Sequence, residues 1–410
     1  MLNINTKLKK RQEEGNIIKT GIIGTGQMGK GLITQTLIMK GITPTIAAAT
    51  KIENVLKAYD YAGISRDDIA IAKTVTQAND FIKKGKYVAT DDFEIVTKAD
   101  AIDCVVDATG VSDVGALAAT DTIANGKHMV MLNVETDIII GPLLKKMADE
   151  KGVIYTGSAG DEPGAVMELY SFADAIGLDI KVIGKGKNNK VIKDSNPDTV
   201  LEEALSRKMN PRMLCSFKDE TKTMVELCAM SNATGFKPDI VGAHGIEASL
   251  KELNQKFLLK SDGGILNSHP VVEYVMGIAP GVFAIVHSDN PEVIYQMKYL
   301  SMGNGPLWTL YRPYHLCILE TPLTIAKAVI DKEPTIVPKG SLVSECFAVA
   351  KKDLKKGEHL DGIGGYTTYG SITTKEDAKA KAYVPIGLIN HNTIMKEDVK
   401  KGTYLTLNHL

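Results

Sequence analysis

Residues 17–31, IIKTGIIGTGQMGKG, place three glycines directly after an apolar run. The spacing is G-x-G-x-x-G, and the six residues of the motif are Gly24, Thr25, Gly26, Gln27, Met28 and Gly29. In such a turn between strand and helix, the first glycine permits the tight turn, the second lets a pyrophosphate approach the backbone, and the third lets the helix pack on the strand. Free N–H groups at the helix start favour phosphate. The motif predicts a dinucleotide-binding loop, with a ligand-free turn as the alternative.

The end of the second apolar strand distinguishes between two dinucleotides. NAD enzymes usually carry an acidic residue there, which binds the ribose 2′-hydroxyl. This chain has AAATKIEN, with Thr50 and Lys51 at that place. A hydroxyl followed by a cation favours a 2′-phosphate, so we expect NADPH. The alternative is that Lys51 is a solvated residue at a helix start. The sequence DATG then ends the next strong strand, and Asp107, Thr109 and Gly110 are expected to line the nicotinamide side.

Two polar clusters follow in the middle of the chain. In GSAGDEPG, Asp161 and Glu162 come directly before a predicted helix, where they could bind a substrate or cofactor edge or only stabilise the helix dipole. In GKGKNNK, Lys185 and Lys187 alternate along a predicted strand and therefore share one face. Together with Asn188 they could hold an anion or polarise a carbonyl. The alternative is a basic surface turn.

A third cluster lies in LYRPYHLCILETP, where Arg312 and His315 interrupt an apolar stretch. Arg312 precedes a proline, which disfavours helix, so we expect a loop that directs its guanidinium towards a phosphate or carboxylate. His315 could be an acid–base group or a hydrogen-bonded core residue. Glu320 and Thr321 precede Pro322 and are expected to start a helix. There is no histidine-based metal motif, although Mg²⁺ or Mn²⁺ could be bound by carboxylates, with Asp161 and Glu162 as candidates.

The elements that must position these groups follow from the periodicity. Up to residue 157, apolar strands alternate with amphipathic helices every 20 to 30 residues. This pattern predicts an α/β fold with a doubly wound parallel sheet of Rossmann type at 1–157. A mixed α/β domain is predicted at 158–335. Beyond the linker EPTIVPKG we expect a small β-rich domain at 340–410, half-repetitive, in which each half has a strand, a short polar helix and a K-K-G turn.

Length and composition restrict the class of protein. A chain of 410 residues is long enough for two or three cores. Its net charge of −1 gives no general attraction to nucleic acid or to anionic membranes, so neither is expected as a partner. The chain has no long apolar run and only five scattered cysteines. We therefore expect a cytoplasmic protein with reduced thiols.

Four phrases, SAGDEPGAVMELYSFA, GKGKNN, YRPYHLCILETPLTIA and GEHLDGIGGYTTYG, together with the glycine loop, resemble the deoxyxylulose-phosphate-reductoisomerase-like oxidoreductases. This family is distantly related to homoserine dehydrogenase and ends in a SAF (antifreeze-like) domain. The resemblance spans nearly the whole chain. It implies an NADP-binding Rossmann domain, a catalytic domain that also forms a homodimer or higher homo-oligomer, and a SAF module.

The resemblance further implies an activity in isoprenoid biosynthesis, the conversion of 1-deoxy-D-xylulose 5-phosphate to 2-C-methyl-D-erythritol 4-phosphate with NADPH and a divalent cation. By this resemblance, Lys185, Lys187 and Asn188 would bind the substrate oxygens. Arg312 with His315 would form the phosphate or carboxylate clamp. Asp161 with Glu162 would be the metal or proton-transfer carboxylates. The metal-ligand pattern of the better-known reductoisomerases is not found in this chain. Two alternatives are an NADP-dependent dehydrogenase or oxidoisomerase of a sugar acid, and a non-catalytic NADP-binding sensor.

Overall fold

The computed structural model describes residues 3–410 and divides the chain into two compact units. The first unit contains residues up to 164 together with 316–337. The second contains 165–315 together with 338–410. Each unit is therefore assembled from two separate segments of the chain. The predicted division into three domains at 1–157, 158–335 and 340–410 stays a prediction.

The first unit is built on a seven-stranded parallel sheet with the order β3-β4-β2-β1-β5-β6-β7. Its strands are β1 (Ile18–Ile23), β2 (Ile42–Ala48), β3 (Ile69–Ile71), β4 (Tyr87–Thr90), β5 (Cys104–Asp107), β6 (His128–Met131) and β7 (Tyr155–Gly157). The chain runs outwards from β1 on one side and then returns to add β5 on the other. The order therefore reverses between β1 and β5, which is where open α/β sheets bind ligands. The predicted α/β fold of Rossmann type is confirmed.

Helices connect these strands. They are α1 (Ile4–Glu13), α2 (Gln27–Ile38), α3 (Ile52–Tyr61), α4 (Val75–Lys83), α5 (Phe93–Lys98), α6 (Ser112–Ala124), α7 (Val134–Lys151) and α14 (Cys317–Ala326), the last followed by a π-helical turn at Lys327–Asp331. Successive residues of β5 enter different cores, since Val105 packs in one cluster and Val106 in the other. Both faces of the sheet are thus covered, as a parallel sheet requires.

The second unit contains a mixed sheet with the order β10-β11-β8-β12-β13, and β9 pairs with β11. Its strands are β8 (Asp179–Lys187), β9 (Lys237–Pro238), β10 (Ile246–Glu247), β11 (Val271–Met276), β12 (Val282–His287) and β13 (Leu307–Arg312). Its helices are α8 (Glu162–Ala175, whose first three residues belong to the first unit), α9 (Leu201–Ser206), α10 (Pro211–Lys218), α11 (Thr221–Thr234), α12 (Leu253–Lys256) and α13 (Pro291–Tyr299). Nearly every residue of α11 is buried.

The C-terminal part of the second unit contains the antiparallel pair β14 (Ser344–Ala350) and β15 (Thr368–Thr374), and the helix α15 (Lys375–Ala380). The two repeat halves pair with each other, because Leu354 and Val399 exchange backbone hydrogen bonds of 2.9 and 3.0 Å. The predicted short polar helix within each half is wrong: both halves run as extended bridges that lead into a turn. The small β-rich character of this segment is confirmed.

No helix among residues 3–410 is long and apolar enough to cross a bilayer.

Candidate functional site

Two of the three motif glycines are required by close packing. Gly24 has φ +90°, and a Cβ there would lie 2.9 Å from the carbonyl group of Ala108. A Cβ on Gly29 would lie 1.8 Å from the Gly24 carbonyl oxygen. Any larger side chain would therefore separate α2 from β1, or β1 from the turn after β5. These two glycines hold the loop at the point where the strand order reverses.

Gly26 differs from its two neighbours because a Cβ there would meet nothing within 4 Å. It is the exposed N-cap of α2, and no side chain caps the helix amides. The adjacent Thr25 hydroxyl is buried without a hydrogen-bond partner among residues 3–410. Gln27 and Met28 form the first turn of α2. Uncapped amides, an unsatisfied hydroxyl and open space at Gly26 fit a bound diphosphate.

The turn after β5 is held by a buried polar network. The carboxylate of Asp107 accepts hydrogen bonds from the Thr109 amide at 2.9 Å and from the Asn133 side-chain amide at 3.0 Å. Burial raises the pKa of Asp107. Asn133 also donates to the Val111 carbonyl at 3.0 Å and caps α7. Asn133 was missed by sequence reasoning, although its place directly after β6, at the same edge of the sheet, was a usable signal. Gly110 is exposed beside this network, with φ +66°.

Thr50 and Lys51 lie in the connection between β2 and α3, and both are exposed. Lys51 is the N-cap residue of α3. A cation there does not serve the helix, because positive charge at a helix N-terminus is electrostatically unfavourable. The assignment of these two residues to a 2′-phosphate stays a prediction.

The loop with Asp161 and Glu162 is bound to α14 within the first unit. The Ser158 hydroxyl lies 2.8 Å from that of Thr321, and the Ala159 amide donates to the Thr324 hydroxyl at 2.7 Å. Asp161 is buried and Glu162 is the first residue of α8. The roles proposed for these two carboxylates, including metal binding, stay predictions.

Helix α14 also corrects one expectation. It begins at Cys317, so Glu320 and Thr321 lie inside its first turns and Pro322 is within the helix. The Glu320 carboxylate accepts a hydrogen bond from the Leu316 amide at 2.9 Å, which satisfies one of the amides at the helix start. Pro322 lies beyond the first turn of this helix and donates no amide hydrogen bond there.

In the second unit, the alternation of glycine and lysine in β8 determines which side chains share a face. A Cβ on Gly184 would lie 1.9 Å from the Glu273 carbonyl oxygen, and one on Gly186 would lie 2.6 Å from the Ala279 nitrogen. Only glycine fits on that face. Lys185 and Lys187 project from the other face, and both are buried. The sequence prediction that the two lysines point together is consistent with this register.

The two lysines have different partners. The Lys185 ammonium forms an ion pair with the Glu226 carboxylate, which projects from α11, and both side chains are buried. The Lys187 ammonium donates to the Phe217 carbonyl at 2.6 Å. No carboxylate lies within ion-pair distance of Lys187 among residues 3–410. Burial, followed by the charge of Lys185, lowers the pKa of Lys187.

Lys187 lies on a cleft of about 630 Å³. The polar groups along this cleft come from Lys187, Asn188, Lys190, Gly245, Glu247 and Tyr274. Lys185 is not part of the lining. The cleft is large enough for a small metabolite, and its cations would bind oxygen anions.

Tyr274 and its partners were missed by sequence reasoning. The Tyr274 hydroxyl donates to Glu220, whose second oxygen lies 3.4 Å from the Lys193 ammonium. Burial and the neighbouring Glu220 raise the pKa of Tyr274, so the hydroxyl stays protonated. The signal was in α11 and the residues before it, where an apolar stretch contains the acids Glu220 and Glu226. Buried acids require cationic or hydroxyl partners.

The predicted loop at Arg312 is wrong, because Arg312 is the last residue of β13. The pre-proline position disfavours helix but is compatible with an extended strand. Its guanidinium lies 3.4 Å from the Glu168 carboxylate and 4.6 Å from the centre of the Tyr314 ring. His315 is half-buried in the segment that follows. The clamp proposed for Arg312 and His315 stays a prediction.

Comparison with known proteins identifies one region. Residues 160–321 match the family model described as the catalytic domain of oxidoreductase DRL. Among curated proteins, none matches the sequence.

Solved structures that match the chain include a probable dehydrogenase from Thermotoga maritima, with 11% identity, 79% of this chain and 91% of that chain covered, and a TM-score of 0.45. The scyllo-inositol dehydrogenase from Lactobacillus casei has 14% identity, covers 72% of this chain and 76% of its own, and has a TM-score of 0.39. A putative myo-inositol dehydrogenase from Sinorhizobium meliloti has 12% identity, 77% and 87% coverage, and a TM-score of 0.39.

The class of protein follows from two observations. The first unit has the strand order of a dinucleotide-binding sheet, with the glycine loop where that order reverses. Residues 160–321, which include the two lysines of β8, match an oxidoreductase catalytic domain. The chain is an NAD(P)-dependent oxidoreductase. Within that class, it is similar to the DRL oxidoreductases over their catalytic domain.

Proposed function

We propose that the protein is an NADPH-dependent oxidoreductase whose substrate is a small, oxygen-rich anion, a sugar phosphate or a sugar acid. The observation that carries this proposal is the Lys187 ammonium, which lies buried on the cleft without a carboxylate partner. A buried, uncompensated cation is costly. An anionic substrate or a developing oxyanion would compensate the charge. A lysine with only a structural role would gain nothing that offsets this cost.

The choice of NADPH over NADH rests on the first unit. The amides of residues 25–29 would hold the diphosphate, and the exposed Thr50 and Lys51 would bind a 2′-phosphate. When bound, the reduced nicotinamide supplies a hydride. The chain contributes the groups that bind this cofactor and those that bind the substrate.

The specific reaction we propose is reductoisomerisation of 1-deoxy-D-xylulose 5-phosphate, or of a close sugar phosphate, to 2-C-methyl-D-erythritol 4-phosphate. Rearranging an α-hydroxyketone requires deprotonation of a hydroxyl and polarisation of the adjacent carbonyl. Lys187 and Asn188 would bind the substrate oxygens, and Asp161 and Glu162 would hold a divalent cation or accept a proton. Arg312 would contribute to the binding of the phosphate.

The second candidate is an NADP-dependent dehydrogenase or oxidoisomerase of a sugar acid. It is favoured by the partners of Arg312, because Glu168 and Tyr314 already contact that guanidinium. The cations that line the cleft are then Lys187 and Lys190, which suffice for a carboxylate. A non-catalytic sensor is disfavoured by the match of residues 160–321 to a catalytic domain.

Loss of NADPH absorbance on incubation with each substrate class tests the proposal. The purified protein is incubated with deoxyxylulose phosphate, with and without Mn²⁺ and EDTA, and products are identified by mass spectrometry. The same assay with NADP⁺ and a panel of branched and short-chain sugar acids tests the second candidate. Turnover confined to the sugar acids would exclude the first. If neither assay shows turnover, both candidate functions are excluded.

A cytoplasmic homodimer or higher homo-oligomer completes the proposal. The absence of disulfide-type cysteine spacing supports the cytoplasm. Light scattering of the purified protein would measure the oligomeric state, and a monomeric mass would contradict that part.

A further inference from the structure

We infer that Lys187, and not its strand neighbour Lys185, is the lysine that exchanges a proton with the substrate. Lys185 and Glu226 form a positioning pair behind it. This inference rests on the proposed function, since it assigns roles within the same cleft.

The first support is the distribution of charge around the two lysines. Three buried carboxylates project from the turn before α11 and from α11 itself, and each has its own cation. Asp219 pairs with Lys351 at 2.8 Å, Glu220 with Lys193 at 3.4 Å, and Glu226 with Lys185. Of the two buried lysines of β8, Lys187 is therefore the one that pairs with none of these three carboxylates.

The second support is position. Lys187 is the last residue of β8 and lies on the cleft, whereas Lys185 is two residues further back along the same face. In the register of the sheet, Lys185 lies beside Tyr274 and Lys187 beside Met276. An ammonium has three N–H donors, and the Phe217 carbonyl takes one from Lys187. Two donors therefore remain for a ligand in the cleft.

The third support is electrostatic. Burial and the positive charge of Lys185 lower the pKa of Lys187, while Glu226, Glu220 and Asp219 act in the opposite direction. A lowered pKa makes the Lys187 ammonium a stronger proton donor to a developing oxyanion. The ion pair with Glu226 stabilises the ammonium form of Lys185.

In the reduction of a carbonyl, bound reduced nicotinamide would supply the hydride for the new C–H bond, which leaves the carbonyl π pair on oxygen. That oxygen takes a proton from the Lys187 ammonium, so an O–H bond forms and an N–H bond breaks. The neutral amine then recovers its proton from water. The substrate is reduced by two electrons and the nicotinamide is oxidised by two.

Labelling with pyridoxal 5′-phosphate followed by borohydride tests the inference without any turnover. The phosphate directs this aldehyde to a cationic cleft, and only an unprotonated amine forms the imine that borohydride reduces. Peptide mapping of the native protein should find roughly tenfold more label at Lys187 than at the exposed Lys146. The labelling rate should rise with pH at a midpoint below that of Lys146. Label on Lys185, or spread evenly over exposed lysines, would overturn the inference.

Variants distinguish the roles of the two lysines. Glu226→Gln removes the compensating charge, so the labelling midpoint of Lys187 should move to lower pH; an unchanged midpoint would contradict the positioning role. With an active substrate, Lys187→Arg should remove the pH limb of kcat/KM that Lys185→Arg retains. Label at Lys187 without turnover on any substrate would refute the proposed function and leave the reactive amine established. Turnover with no label at Lys187 would refute only the inference.

Discussion

The Lys351 ammonium lies 2.8 Å from the Asp219 carboxylate inside the second unit, with both side chains almost completely buried. Lys351 also donates to the carbonyl oxygens of Ser195 and Gly365, at 2.8 and 2.7 Å. Its three N–H donors are therefore all used. Lys351 follows β14 directly, and Asp219 begins the turn into α11, so the C-terminal segment supplies the counter-ion for a turn beside the lysine cluster.

Lys351→Met should reduce the free energy of unfolding by about 3–5 kcal/mol, because it leaves the Asp219 carboxylate buried without a cation. Urea denaturation followed by circular dichroism measures this. The matched control is Lys400→Met, since Lys400 forms a 2.9 Å pair with Asp353 at the surface, and its loss should change the free energy of unfolding by less than about 1 kcal/mol. Equal losses of unfolding free energy in the two variants would show that the buried Lys351–Asp219 pair stabilises the protein no more than a surface pair does.

Gly26→Ala should weaken NADPH binding while the fold stays intact. The added Cβ meets no protein atom within 4 Å, and the φ of −67° suits alanine. The methyl group would instead occupy the space proposed for the diphosphate, so we expect a loss of affinity of at least about tenfold. Titration by nucleotide fluorescence measures the affinity and a thermal melt checks the fold.

Gly340→Ala is the control for that experiment, because its Cβ also meets nothing within 4 Å but it lies far along the chain from the motif. Unchanged NADPH affinity in both variants would mean that the glycine loop does not hold the diphosphate. Gly29→Ala is unsuitable, since its Cβ would collide with the Gly24 carbonyl and disturb the fold.

Lys51→Asp should shift the preference from NADPH towards NADH. Aspartate accepts hydrogen bonds from a ribose diol and repels a 2′-phosphate, so the ratio of the two dissociation constants should change by roughly tenfold or more. Lys57→Asp on the same helix is the matched control, because it makes the same charge change at another exposed position. A ratio that moves equally in both variants would point to net charge instead of a specific contact.

The first unit was predictable because its sheet is parallel and covered on both faces. Each strand is then a continuous apolar run, and glycines mark the one turn where α2, β1 and the residues after β5 meet. Gly24 and Gly29 could be assigned from spacing alone. The place of Asn133 after β6 was a usable signal, but its pairing with Asp107 was not predictable, because Asp107 is 26 positions earlier and only the order β1-β5-β6 brings the two together.

The second unit was less predictable for a related reason. The pairs Lys185–Glu226 and Lys351–Asp219 join residues 41 and 132 positions apart, and no periodicity encodes such contacts. Within β8, the alternation of glycine and lysine did indicate a shared face. It could not indicate that only one of the two lysines reaches the cleft.

The C-terminal repeat shows how a correct pattern led to a wrong element. Asp353 accepts hydrogen bonds from the amide and ammonium groups of Lys401 and Lys400, and Asp398 does the same for Lys356 and Lys355. The polar residues that resembled a short helix in each half are thus used to close the K-K-G turn of the other half. Repetition was readable from the sequence, whereas pairing between the halves was not.

Asp137→Asn should stabilise the protein at neutral pH and remove part of its pH dependence. Asp137 is buried and accepts a hydrogen bond from the Tyr155 hydroxyl at 2.7 Å, and burial raises its pKa to about 6. Because the unfolded chain releases this proton near pH 4, the wild type loses stability as pH rises from about 4 to 6, in total about 3 kcal/mol. Asparagine keeps the hydrogen-bond acceptor for Tyr155 and does not titrate. The unfolding free energy of Asp137→Asn minus that of the wild type should therefore grow from about pH 4 to 6 and stay level at higher pH. Glu150→Gln, at an exposed position of the same helix, is the control and should give a nearly flat difference. A difference that does not change between pH 4 and 7 would show that Asp137 is already ionised in the folded protein.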